Sequence, residues 1–484
     1  MRPLSRLSSV ALALASLVAP VFVAGLSAQQ ADSLSTAVRR YVTVNAPVVA
    51  LTRVRVIDGT GAPARDDQTI IIRDGRIAAV GARSSVQVPE GATVLDLPGH
   101  TVIPGIVGMH DHLFYTAAGG RASQMTYTAP RLYLASGVTT IRTTGGRAPY
   151  AEINAKEAID SGWTPGPRIH LTAPYITGAP GGGSMAIVES PEAARRFVAY
   201  WGSEGMTWLK AYTDIRGVDL AAAIDEAHKR GMKVTGHLCS VSFQEAVALG
   251  IDNLEHGMFT ATDFDPERTP DQCTASNLAE VTAGTANPTG SAAQATIRRM
   301  LDGKVSMTST LAVYEPFIAG RPNNMDARTL EMMAPEVRES YLRIRGQIDS
   351  AGGRFTVAAL RNGMAFEKAF FEAGGLLAAG VDPTGVGGAL PGFGDQRNYE
   401  LFIEAGFTPA QAVQIMTANG AKILGVYDQL GSVEPGKIAD LVVLAADLNA
   451  GPAGIRNVTT VFKGGVGYDS RSLIAAVKGR IGID

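Results

Sequence analysis

Two hydrophobic periods follow one another along this chain. From Val48 to about Leu97, VVALTRVRVIDG alternates apolar and polar residues, TIIIRDGRIAAVG is two β runs and ATVLDLPG closes the set. That period belongs to strands, and Asp74-Gly75 between two such runs predicts a hairpin turn. A small sheet is expected there, without a helix. From Ile106 the pattern changes to short apolar runs, each followed by a stretch of helical period. The strand candidates are Ile106–His112, Val138–Thr144, Arg168–Thr172, Thr207–Tyr212, Lys233–Leu238, Asn253–His256, Val305–Leu311 and Leu376–Asp382. AEINAKEAIDSG, SPEAARRFVAYWGSEG and DLAAAIDEAHKRG read as helices between them, the second with Ser190 as N-cap and Pro191 first inside. A further helix, TPAQAVQIMTANGAKILG, follows the eighth strand.

Eight strand–helix units in order predict an α/β chain closed into a (β/α)8 TIM barrel rather than an open sheet. Beyond them, GSVEPGKIADLVVLAAD and VTTVFKGGVGYDS return to β character. Strands before and after the barrel are expected to pair as a small flanking β-sandwich. The division is then 45–103 with 425–484 for the sandwich and 104–424 for the barrel. Two stretches fall outside the repeat: Ile176–Ser184, rich in Gly and Pro, and the segment from about Thr260 to Ala295. Both follow strands, so both are expected as loops over the barrel's C-terminal mouth.

The first residues carry a different signal. Arg2 and Arg6 precede an apolar run from Val10 to about Ala28, with Gln29, Gln30 and Asp32 after it. This is the pattern of a signal peptide over 1–28, implying export to a periplasm or the extracellular space. The run is nearly long enough to span a bilayer, so an uncleaved anchor is the alternative; after cleavage no membrane contact is expected. Composition excludes other classes. Charged residues are 18% and hydrophobic ones 46%, which rules out wholesale disorder, and a net charge of −2 gives no basic surface for nucleic acid. Cys239 and Cys273, the only two cysteines, form either one disulfide or two free thiols; their spacing is not that of a metal or redox motif.

The chemistry gathers at strand ends. His110 and His112 leave the same face of the first strand, because side chains at i and i+2 point one way. Two neutral imidazoles held on a rigid strand suit a divalent transition metal. Lys210 stands at the end of the fourth strand, His237 of the fifth, His256 of the sixth and Asp382 of the eighth. Each alone reads as an ordinary hydrogen-bonded residue, but in a barrel they converge on one mouth. Tyr212, two residues beyond Lys210, turns to the same lumen and is a candidate for the substrate's carbonyl or carboxylate, core packing being the equal alternative. Arg142 on the second strand is a candidate for a substrate carboxylate. Asp111 faces away from its two histidines, and His228, beside Lys229 and Arg230, reads as solvent-exposed. There is no GxSxG, GxxxxGK[ST] or HExxH.

PGIVGMHDHLFY, WLKAYTD, VTGHLCS, NLEHGMF, AAGVDPTG and GSVEPGKIADLVVL together resemble the metal-dependent amidohydrolase superfamily, nearest its secreted imidazolonepropionase-like and Xaa-Pro dipeptidase-like branch. The resemblance runs from about Val48 to the C-terminus. It implies one or two divalent ions, usually zinc, with His110, His112 and Asp382 on the more buried one and His237 and His256 on the more exposed one. Lys210 would bridge them after carboxylation by CO2, since an ammonium has no lone pair to offer a metal; an unmodified Lys210 with a single ion is the alternative. Asp382 would be the proton carrier. The implied activity is hydrolysis of an amide in a small peptide-like molecule, a dipeptide or N-acyl amino acid. A cyclic amide, lactone or phosphoester on the same centre, or a non-catalytic metal-binding barrel, are the alternatives. Metal identity, the exact substrate and homo-oligomerisation stay open.

Overall fold

A computed structural model of the chain describes residues 34–117, 121–273, 275–321 and 326–483; the expected signal peptide lies outside them. The alternating segments before and after the central region join one nine-stranded sheet. Its path runs Val42–Val44, Val466–Asp469, Val458–Lys463, Leu441–Leu444, Thr101–Pro104, Val48–Val56, Arg65–Arg73 and Arg76–Ala82, with Thr93–Asp96 paired to Val48–Val56. The hairpin expected at Asp74-Gly75 is present. Both residues have positive φ, 48° and 76°, the backbone that a tight two-residue turn needs between right-twisted strands.

The eight strand candidates all form strands: Ile106–Asp111, Val138–Thr143, Arg168–His170, Trp208–Ala211, Lys233–Gly236, Asn253–Glu255, Ser306–Ser309 and Leu377–Ala379. They pair in parallel, in chain order, from the first to the third and from the fourth to the eighth. The third meets the fourth through a parallel bridge between Thr172 and Trp208. The eighth meets the first where the Asp382 N–H donates to the His110 carbonyl at 2.8 Å. Gly380 makes that approach possible, because a Cβ there would stand 2.0 Å from the His110 nitrogen. The fold is TIM-barrel-like α/β.

Between strands the expected helices form at Pro149–Asp160, Pro191–Ser203 and Gly217–Lys229, the second capped by the Ser190 side chain. The late helical stretch forms as Pro409–Gln414 and Gly420–Leu424 around a π-helical turn, after a further helix at Phe393–Glu404. The two stretches expected as loops are more ordered than that. Ile176–Thr177 is a short strand paired with Ala186–Ile187 and with Ala211. The 260–295 segment contains a helix at Ser276–Thr285 and opens another at Ser291–Asp302. Cys239 and Cys273 form a disulfide that ties this segment to the end of the fifth strand. Among the described residues no helix is long and apolar enough to cross a membrane.

Candidate metal centre and substrate pocket

His110, His112, Lys210, Tyr212, His237, His256 and Asp382 line one cavity of about 370 Å³. The tightest group is His110, His112 and Asp382, whose nitrogen and oxygen atoms lie within 4.8 Å of one another. Asp382 Oδ2 is 3.6 Å from His110 Nε2, and Oδ1 is 3.5 Å from His112 Nε2. His256 adjoins this group, with ring centroids 4.5 Å from His110 and 4.4 Å from His237. Residues from the first, fourth, fifth, sixth and eighth strands thus meet at one level.

Hydrogen bonds behind the rings fix which nitrogen faces the cavity. His110 Nδ1 donates to Glu255 Oε2 at 2.7 Å, since a carboxylate only accepts. His112 Nδ1 donates to the Gly145 carbonyl at 3.2 Å. Both histidines therefore turn a bare Nε2 toward Asp382, the form a metal requires. His256 Nδ1 pairs with Thr310 Oγ1 at 2.7 Å.

Two of these residues bend the chain to reach the site. Alternation along the sixth strand would set His256 opposite Glu255, yet His256 has a φ of 68° and Asp382 one of 46°. Left-handed backbone is uncommon outside glycine, and here it turns two polar side chains into the lumen. Such outliers gather at functional sites.

Burial dominates the electrostatics. It pushes His110 and His256 well below the ordinary imidazole range and His237 to about 3, with the neighbouring Lys210 charge acting the same way on each. The imidazoles are accordingly neutral, the form a metal would require. Burial would raise the Asp382 carboxyl, yet the group lies below the ordinary carboxylate range, with the Thr384 hydroxyl donating to Oδ1 at 2.7 Å. Lys210 is pulled down to about 8, mainly by burial. Its Nζ is buried with no hydrogen-bond partner.

Arg142 is not where a substrate contact would be. It is 0% exposed, its guanidinium paired with Glu255 and the Met109 carbonyl and stacked 4.4 Å from the centre of the Trp208 ring. It does point into the lumen, but one layer below the cavity, where its long side chain meets the Glu255 carboxylate. Thr235 and Asn253 also donate to that carboxylate. Arg142 therefore holds Glu255, which orients His110. Asp111 faces away as expected, accepting from the Val381 N–H at 3.1 Å. His228 is half-exposed and pairs with Asp252.

The pocket has walls that motif reading missed. Phe114, Tyr175, Tyr314 and Phe317 supply an aromatic lining, and Arg121, Arg147, Arg354 and Glu280 supply charge. Glu280 comes from the Ser276–Thr285 helix, ion-paired with Arg354 and 3.3 Å from His237 Nε2. Glu255 had a signal, because it shares strand parity with Asn253; the others come from connecting segments without a period. A larger cavity, about 590 Å³, lies away from the histidines, and its Arg321, Arg397 and Arg456 are already paired with Glu315, Glu400 and Glu404.

The Amidohydrolase family model matches residues 101–263 and 378–467, more than half of the chain. This chain belongs to the amidohydrolase family. Its members use divalent metals, and the His110, His112 and Asp382 group is able to hold one. The chain is 26% identical to the imidazolonepropionase of Porphyromonas gingivalis over 420 residues, 82% of this chain and 85% of that one. It is 27% identical to the enamidase of Eubacterium barkeri over 200 residues, 40% of this chain and 50% of that one. Among solved structures, the bottromycin amidohydrolase superposes with a TM-score of 0.67 at 19% identity, covering 94% of this chain and 95% of that one. A Xaa-Pro dipeptidase with methionine bound in its active site gives 0.64 at 19%, covering 87% and 100%. With the family goes the class of reaction: this is a hydrolase of C–N bonds.

Proposed function

We propose that the chain is an exported, metal-dependent amidohydrolase that cleaves the amide of a small peptide-like substrate, a dipeptide or an N-acyl amino acid. One observation carries the reading: the Lys210 amine, 1% exposed and without a partner, in a cavity of four imidazoles and the Asp382 carboxylate. A buried ammonium left unpaired is costly. As a neutral amine, Nζ has a lone pair for the carbon of CO2. The N–C bond forms, one N–H proton leaves to solvent, and a carbamate anion results. That anion completes a donor set that fits one or two divalent ions, zinc foremost. His110, His112 and Asp382 would hold the buried ion, His237 and His256 the outer one, with carboxylated Lys210 between them.

When bound, such an ion lowers the proton affinity of a water and polarises an amide carbonyl. The chain's own residues do the rest. Asp382, kept anionic beside His110 and His112, accepts a proton from the attacking water at its carboxylate and passes it to the leaving nitrogen. Tyr212, whose hydroxyl burial pushes up to about 12, stays a hydrogen-bond donor for the substrate's carbonyl or carboxylate. Glu255 and Arg142 keep His110 in its receiving orientation.

We read the frame as a closed (β/α)8 barrel over 104–424 with a β-sandwich from 45–103 and 425–484. Supporting the sandwich, Val49, Leu51, Ile70, Ile77, Val102, Leu441 and Phe462 from both segments share one buried cluster. Export is supported by the character of residues 1–28 and by the Cys239–Cys273 disulfide, a bond that persists in oxidising compartments. The test is metal analysis of the purified protein with a panel of dipeptides, N-acyl amino acids, lactones and phosphotriesters. Bound metal with amide hydrolysis is expected. A metal-loaded protein that opens only lactones or phosphotriesters would overturn the proposal.

A further inference from the structure

The charges around the cavity are unequal, and the inequality bears on which peptide-like amide fits. Outside the proposed ligand set, the described lining residues include three guanidiniums, Arg121, Arg147 and Arg354, and one carboxylate, Glu280. Glu280 is already committed: it is 7% exposed, ion-paired with Arg354 and set against His237.

Arg147 is in the opposite position. It is exposed at the rim, between the second strand and the Pro149–Asp160 helix, with its guanidinium 5.1 Å from the centre of the Phe114 ring. The backbone leading to it is held close to the aromatic wall. Gly145 has a φ of 98°, and a Cβ there would stand 2.6 Å from the Tyr175 ring. Arg147 is near enough to act electrostatically on both the Tyr175 and Tyr212 hydroxyls. It is thus a cation on the same wall as the tyrosine proposed to meet the substrate.

We infer that the pocket selects an N-acyl amino acid over a free dipeptide, with Arg147 taking the substrate's carboxylate and the aromatic wall of Phe114, Tyr175, Tyr314 and Phe317 taking its apolar parts. The inference rests on the amidohydrolase reading above and narrows it. The physical reason is a difference in both charges of the ligand. A carboxylate gains a planar, bidentate partner. A free α-ammonium meets the Arg147 cation and, outside the proposed ligand set, finds no uncommitted carboxylate among the described lining residues, and like-charge placement is how sites reject close analogues.

The metal-loaded enzyme is assayed on three matched substrates: an N-acetyl amino acid, its C-terminal carboxamide and the free dipeptide with the same leaving residue. Preference for the N-acetyl acid by about tenfold or more in kcat/KM over both is expected, an energy on the scale of one hydrogen bond to a charged group. In Arg147→Ala the ratio of acid to carboxamide should collapse toward one, mainly through KM, and Arg147→Lys should recover part of it. In Arg354→Ala, which frees the Glu280 carboxylate, the ratio of dipeptide to N-acetyl acid should rise. Equal use of acid and carboxamide, a dipeptide hydrolysed as well as the N-acetyl acid, or an unchanged ratio in Arg147→Ala overturns the inference and leaves the amidohydrolase reading standing. Hydrolysis of none of the three overturns both.

Discussion

Asp382 is the residue on which the proposed chemistry turns, because it touches both histidines of the first strand and is the one carboxylate at the centre of the cavity. Asp382→Asn preserves shape and removes the proton acceptor. Its kcat should fall by about 10²–10⁴-fold, the usual worth of a positioned acid–base group, with metal content measured alongside. A variant that keeps its metal and turns over at the parent rate would remove Asp382 from this role. Arg142 makes a different prediction. Arg142→Met would leave the Glu255 carboxylate buried without its guanidinium partner, held only by hydrogen bonds from His110, Thr235 and Asn253 and the nearby Lys210. Breaking a buried pair from one side costs about 3–5 kcal/mol, read as a shift of the denaturant midpoint. Adding Glu255→Gln should restore part of that loss, because the orphaned charge goes with it. These two residues also show the limit of strand parity: it tells which side chains enter the lumen but not at what height. Its strand told that Arg142 could face the lumen, and only its pairing with Glu255 shows that it stops below the cavity.

At the scale of elements, the helix Val357–Glu372 is tied to the end of the seventh strand by its buried Glu367, whose Oε2 accepts from Ser309 Oγ at 2.7 Å. Burial raises this carboxyl from 4.5 to about 8. Between those values the folded chain binds the proton and the unfolded chain does not, so stability falls as pH rises from about 4.5 to about 8. Glu367→Gln should flatten that slope in thermal melts taken across the window; an unchanged slope would exclude Glu367 as its source. The Cys239–Cys273 bond holds the segment that presents Glu280 to the end of the strand that presents His237. Cys239→Ser with Cys273→Ser should cost about 2–4 kcal/mol for a loop of this size, with a rise in KM exceeding any fall in kcat. The strands, their order and the convergence of six polar residues were legible in the sequence, because period, parity and order are local properties. The wall was not. Glu280, Arg354, Arg147 and Tyr175 sit on connections whose course is set by tertiary contacts, and the pairing of the cysteines depends on a Cα–Cα approach that no spacing specifies.

For the whole molecule, the proposed donors come from both ends of the series of eight strands. The first and eighth meet at a seam fixed by the Asp382–His110 backbone bond and by the absence of a side chain at Gly380. An ion held by His110, His112 and Asp382 would cross that seam, and one reaching His237 and His256 would join the fifth and sixth strands to it. A ligand that binds only the folded state stabilises it by RT ln(1 + [L]/Kd), about 2.7 kcal/mol at a hundredfold excess over Kd. Chelation should therefore abolish hydrolysis and lower the melting temperature together, and added zinc should restore both. The loss should also have a location. Amide hydrogen exchange should rise at the ends of the first and eighth strands. The nine-stranded sheet, which contributes none of the proposed donors, should keep its protection. If chelation ends activity while the melting temperature and the exchange at the seam stay as they were, the metal sits elsewhere and the first and eighth strands meet without its help.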